Sequence, residues 1–411
     1  MKTFEEKLND YAKLISEVGI GCQKGNKIMI RTSTETIEFA RLIVKNLYEL
    51  GAEKVVVDIS DEAITRMNFE NESKESLSEV PDYIVQKAKY AGEEGYGRIS
   101  ITGGNPELLK GIDSEKIEAS NRAFGLALKD TMKYTMNDIV SWCVAGASTK
   151  AWAKKVFPDL DEEEAVRKLW EKIFFVTRMD EDDPVQKWRD HLDTMAKHAD
   201  WLNEMQFDRL IYKSSNGTNL TVGLPKGHKF IAGDSKNAKG QTFIANIPTE
   251  EVFSCPDCRR IDGKLVATKP LSYGGNIIDN FSFEFKDGKV VSFKAEVGEE
   301  VLKDMLNQGE GANTLGEIAL VPYDSPINNS KVLFYNTLFD ENASCHFAFG
   351  KAYPTCVENG ENMSNEELKE LGVNDSLIHV DFMVGARDLE IVGVKEDGEE
   401  VKVFENGNFA I

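Results

Sequence analysis

A chain of 411 residues is too long for one typical core, so two domains are expected. Seventy acidic against 49 basic residues give a net charge of −21, which argues against nucleic acid or anionic membrane as a partner. No apolar run approaches the roughly 18–20 residues that span a bilayer, and six cysteines are too few for a disulfide scaffold.

The opening Met1-Lys2-Thr3-Phe4-Glu5-Glu6-Lys7-Leu8 mixes charges and lacks a signal peptide's apolar core, so a cytoplasmic protein is expected. Residues 27–31 read as a short strand. A helix follows over 34–50, with Ile37, Ala40, Ile43, Leu47 and Leu50 on one side. Further strands are expected at 53–59, 99–102 and 139–144, separated by helical stretches, which implies crossovers and a mainly parallel sheet. Gly103-Gly104-Asn105-Pro106 lacks both the dinucleotide fingerprint and the phosphate-loop lysine and reads as a strand-to-helix turn. Residues 159–205 are helical and charged, with Pro184 at a first helical position. His191 and His198, seven apart on one helix face, read as packed or solvated.

Beyond about Phe207 the chain becomes β-rich and glycine-punctuated. Leu210-Ile211-Tyr212 and Leu220-Thr221-Val222 read as strands, and Asp287-Gly288 as the turn of a hairpin between 281–285 and 290–293. Cys255-Pro256-Asp257-Cys258 lacks the second pair of a zinc ribbon and reads as reduced, structural thiols. The boundary is placed at 205/206. The fold class is α/β, with an N-terminal α/β domain (1–205) followed by a β-rich α+β domain (206–411).

Acids and histidines crowd the second domain. Glu250 and Glu251 stand at the mouth of a strand over 244–247, with Pro248-Thr249 between. Glu317 lies in the otherwise apolar Leu315-Gly316-Glu317-Ile318-Ala319-Leu320-Val321, where a buried carboxylate needs a counter-charge. Residues 332–335 read as a strand running into Asp340-Glu341-Asn342, a helix start, with His346 and Tyr353 on one face of the helix that follows. His379 and Asp381 alternate with Ile378, Val380 and Phe382, so imidazole and carboxylate point the same way from a strand. Together these segments supply four carboxylates and two histidines, the inventory of a two-metal site.

With Asn246-Ile247-Pro248-Thr249-Glu250-Glu251-Val252-Phe253, Glu317, the run from Asp340 to Gly350, and His379-Val380-Asp381-Phe382-Met383, the chain resembles the thermophilic aminopeptidase family. Ser141-Trp142-Cys143, Trp152-Ala153 and Val156-Phe157-Pro158 extend the resemblance into the first half. The resemblance implies a metal-dependent aminopeptidase with two divalent ions (zinc, cobalt or manganese) on Glu251, Glu317, Glu341, His346, His379 and Asp381. Glu317 would bridge them. It further implies a homodimer, a secluded cavity in the C-terminal metal domain, and Tyr353 as the active-site tyrosine stabilising the oxyanion. Substrates would be peptides with a free N-terminus. Glu250, beside a ligand, is the candidate general base; Glu317 or another site carboxylate could serve instead, or Glu250 could anchor the substrate's α-ammonium. The alternative is a dinuclear hydrolase of another amide or a phosphoester, although only Lys351 and Lys369 supply positive charge between His346 and Asp381. A structural zinc site would be richer in cysteine.

Overall fold

The computed structural model describes residues 2–274 and 276–411. It divides into two compact units. The first comprises the chain up to Arg189 with Asp234–Pro248 and Leu333–Leu338; the second comprises Asp190–Gly233, Thr249–Val332 and Phe339–Ile411. No helix among the described residues is long and apolar enough to cross a membrane.

The first unit is built on a parallel sheet with strands in the order Asn246–Ile247, Trp142–Gly146, Gly97–Thr102, Lys27–Ser33, Lys54–Ser60. Helices form the crossovers that parallel pairing requires. The helix expected over 34–50 is Ile37–Glu49, burying Phe39, Ala40, Ile43 and Leu47. On the core side Tyr11 stacks on Phe39, and Trp170 meets both edge-on. The strand expected at 139–144 starts later, at Trp142. Asp138, in the left-handed region at φ 50°, interrupts the chain and accepts a hydrogen bond from Trp142 Nε1 at 3.1 Å. Pro184 does begin a helix, Pro184–Met205, and the Asp183 carboxylate caps it by accepting from the Gln186 amide at 3.0 Å.

Among the described residues, the second unit contains two antiparallel sheets. The larger runs Leu271–Tyr273, Asn276–Lys286, Ile261–Val266, Asn219–Gly223, Arg209–Lys213, Glu390–Val394, Glu400–Glu405, Asn408–Phe409, with Lys289–Val297 also paired to Asn276–Lys286. The expected hairpin turn is present: Asp287 and Gly288 both have positive φ, 49° and 83°, matching a two-residue turn that follows the strands' twist. The other sheet runs His379–Met383, His346–Gly350, Leu315–Leu320, Val252–Ser254, Ile231–Ala232.

Phe347, Phe349 and Phe382 on one face of that second sheet enter the unit's apolar core. There Phe349 stacks on Phe382 and on Phe285, and Phe283 meets both Phe349 and Phe382 edge-on. Each of these rings contributes on the order of 1.5–3 kcal/mol by leaving water. The opposite face of the sheet carries the acids and histidines.

Two local expectations are corrected. Residues 332–335 form no strand; the buried Phe334 carbonyl accepts from Trp152 Nε1 at 2.5 Å instead of entering a ladder. The helix begins earlier, at Thr337–Asp340, and ends in a 3₁₀ turn, Glu341–Ala343, so His346 lies on a strand and not on a helix. The reason is visible in His346-Phe347-Ala348-Phe349-Gly350: aromatic and small residues alternate with period two, and both rings go to the core.

Candidate metal centre

The ladder register assembles the site. Glu317 pairs with Ala348 and Ala319 with His346 on one side of the His346–Gly350 strand. On its other side Ala348 pairs with Asp381, and Gly350 with His379. Phe253 pairs with Ala319, two residues on from Glu251. Directly opposed residues, and residues two apart on one strand, share a face. Glu317, His346, His379 and Asp381 therefore converge over a floor of Ala319, Ala348 and Gly350, which carry almost no side-chain bulk. The Leu315–Leu320 strand comes this close through a bulge at Gly316, where a Cβ would sit 2.2 Å from the Gly350 carbonyl oxygen.

Two sets of ligand atoms result, Glu251, Glu317 and His346, and Glu317, His379 and Asp381, each with its atoms within 4.8 Å of one another. Glu317 stands in both sets and offers them different oxygens. Its Oε1 lies 3.6 Å from His346 Nε2, and its Oε2 lies 3.3 Å from His379 Nε2. Glu251 Oε2 is 3.2 Å from His346 Nε2, and Asp381 Oδ1 is 3.3 Å from His379 Nε2.

The donor set fits divalent cations. It is imidazole nitrogen and carboxylate oxygen. Each histidine also turns its other nitrogen to a backbone carbonyl: His379 Nδ1 is 2.7 Å from Lys351 O, and His346 Nδ1 is 3.4 Å from Ser344 O. A carbonyl can only accept, so Nδ1 carries the proton and Nε2 is the atom available to a cation.

Charges are strongly coupled here. Burial alone would raise the Glu317 acid, but hydrogen bonds and charge from His346 and His379 outweigh it and bring it down to about 2. Burial disfavours the His379 cation, yet Asp381 and Glu317 reverse the balance and lift it to about 11. His346 is raised in the same way by Glu251 and Glu317, against the same opposition from burial. The Glu251 acid is raised, chiefly by burial.

The remaining expected residues lie around this core. Glu341, in the 3₁₀ turn, falls outside both close sets but inside their field. Burial first, then the charges of Asp381 and Glu251, hold its acid well above the ordinary carboxylate range. Tyr353 follows the His346–Gly350 strand, and its ring meets His379 and Phe253 edge-on at 5.4 and 5.9 Å. Burial and then the carboxylates of Glu317 and Asp381 push its hydroxyl well up, so it keeps its proton. Glu250 is buried and belongs to neither ligand set; its Oε2 lies 3.4 Å from His191 Nε2. Helical spacing alone did not separate His191 from His198, which instead stacks on Phe409 with ring centres 4.1 Å apart. Among the described residues the cysteines are free thiols.

The chain is similar to known proteins along nearly its whole length. The model of the thermophilic metalloprotease (M29) family matches residues 4–409. Aminopeptidase AmpS of Bacillus subtilis (strain 168) is 47% identical over 410 residues, covering 100% of both chains. Aminopeptidase T of Thermus aquaticus is 37% identical over 411 residues, again covering 100% of each. The solved structure of wild-type AmpT from Thermus thermophilus aligns with a TM-score of 0.94 at 34% identity, covering 100% of both chains. The chain therefore belongs to the thermophilic metalloprotease (M29) family.

Proposed function

We propose that this metal-dependent aminopeptidase removes residues from the free N-terminus of peptides with two divalent cations held by Glu251, Glu317, Glu341, His346, His379 and Asp381. The observation that carries the reading is Glu317, which presents one carboxylate oxygen to each histidine-containing set. Zinc, cobalt and manganese all suit oxygen and imidazole donors. When bound, such cations acidify water and polarise the scissile carbonyl.

The chain's own groups supply the rest. Tyr353, kept protonated by burial and by its carboxylate neighbours, donates its O–H to the carbonyl oxygen as negative charge develops there. Glu250 takes the proton from the attacking water and delivers it to the leaving amine as the C–N bond breaks. The catalytic residues fall in a C-terminal domain (206–411) that follows an N-terminal α/β domain (1–205), and the enzyme works as a cytoplasmic homodimer.

Hydrolysis of aminoacyl-p-nitroanilides by chelator-stripped protein, before and after adding cobalt, zinc or manganese, tests the proposal. Activity restored by metal on free-amine substrates and absent on their N-acetylated forms is the expected result. Two bound ions per chain with no activity on any such substrate would move the reaction to another amide or a phosphoester.

A further inference from the structure

We infer that His191 is a positioning residue that holds Glu250, and the peptide unit before it, in place for the reaction. The inference rests on the role proposed above for Glu250. The segment Thr249–Glu251 has no regular secondary structure of its own, yet it must aim two adjacent carboxylates in different directions. Side chains from outside the segment grip both polar groups of the Thr249–Glu250 peptide unit. The Glu250 N–H donates to Asn342 Oδ1 at 2.7 Å, and the Thr249 carbonyl lies 2.9 Å from His191 Nε2.

A carbonyl oxygen brings no proton, so His191 Nε2 is the donor and its tautomer is fixed. The same nitrogen lies 3.4 Å from Glu250 Oε2. His191 thus addresses both the backbone and the side chain of this turn, from a helix that carries none of the proposed ligands. Asn342, fully buried, neighbours Glu341 and ties the segment to that 3₁₀ turn. Glu251 faces His346 while its neighbour Glu250 faces His191. A histidine bound to a backbone carbonyl and a carboxylate beside a reacting centre acts by orientation, and losing such a partner costs about 10- to 100-fold.

The test is a double-mutant cycle on the metal-loaded enzyme. His191→Leu, Glu250→Gln and the double variant are assayed for kcat and KM on one aminoacyl-p-nitroanilide, with metal stoichiometry and thermal unfolding measured in parallel. His191→Leu is expected to keep its metal and its fold and to lose about 10- to 100-fold in kcat/KM. In the Glu250→Gln background it should add almost nothing, because its route of action is gone. His191→Gln, whose amide N–H can donate to the Thr249 carbonyl, should recover most of the loss. Wild-type kcat/KM in His191→Leu overturns the inference. So does an undiminished effect in the Glu250→Gln background, or loss of metal in step with activity. If leucine unfolds the chain, His191→Ala replaces it in the same cycle. Wild-type activity before and after metal addition tests the underlying aminopeptidase mechanism separately.

Discussion

Glu317 and His379 meet across an intervening strand. Their Oε2 and Nε2 atoms are 3.3 Å apart, although the His346–Gly350 strand runs between their own two strands. The approach is possible because, between these two residues, the intervening strand carries Ala348 and Gly350, which have almost no side-chain bulk. A side chain any larger at 348 would stand in the row formed by Glu317, Ala348 and Asp381.

Ala348→Leu tests that row. Overpacking should cost about 1–3 kcal/mol of stability while the sheet persists. The leucine would occupy the space between the two carboxylates, so bound metal and activity should fall together with far-UV circular dichroism unchanged. Metal stoichiometry at the wild-type level would show that the small floor has no part in cation binding.

His346→Ala and Asp381→Ala should each abolish metal retention and activity, since each removes a donor from one of the two sets. Neither should unfold the chain, because the apolar core lies on the other face of the sheet. Elemental analysis of the purified variants decides the point, and full metal content in either removes that residue from the ligand set.

Some of this was legible from sequence and some was not, for identifiable reasons. The parallel strands of the first unit and the Asp287-Gly288 turn were written in period and turn chemistry. His379 and Asp381 showed themselves because two polar groups recur at a spacing of two in an apolar run. Asp340-Glu341-Asn342 resembles a helix start and so predicts a helix through His346, whereas the period-two alternation in His346–Gly350 prevails in the fold. The pairing of Asn246–Ile247 with the first unit's sheet, and of His191 with Glu250, are contacts between distant parts of the chain. No local pattern encodes them.

Tyr353→Phe removes one hydroxyl and leaves the ring that packs on His379 and Phe253. Metal content should be unchanged, and the loss should fall on kcat more than on KM, by about 10²- to 10³-fold if the hydroxyl faces the developing oxyanion. An unaltered kcat removes Tyr353 from the mechanism.

Metal binding should release protons. In the metal-free protein His379 is held protonated to about 11, above its ordinary 6.5, by Asp381 and Glu317 against the penalty of burial. A folded value above the unfolded one means that this ion pairing stabilises fully below pH 6.5 and fades as pH rises toward 11. Glu317, depressed to about 2 from an ordinary 4.5, stabilises above pH 4.5 and fades below it. A cation binding at Nε2 must expel the histidine proton, so affinity should rise with pH over the neutral range. Titration calorimetry in two buffers of different ionisation enthalpy reads the proton count directly. Identical heats in both would contradict the linkage.

Phe349 couples the core to the site without touching a ligand. It is fully buried, stacks on Phe382 and Phe285, and sits between Ala348 and Gly350 in the strand that forms the site's floor. Phe349→Ala should cost about 3–5 kcal/mol in a denaturant titration of the metal-free protein, through lost burial and the cavity left behind. The floor is then less rigidly held, so metal affinity should weaken as well. Because a cation binds the folded state, saturating metal should recover part of the lost stability by mass action, in proportion to its remaining affinity. If Phe349→Ala is as stable as the wild type, the aromatic stack is not what holds the two faces of this sheet together.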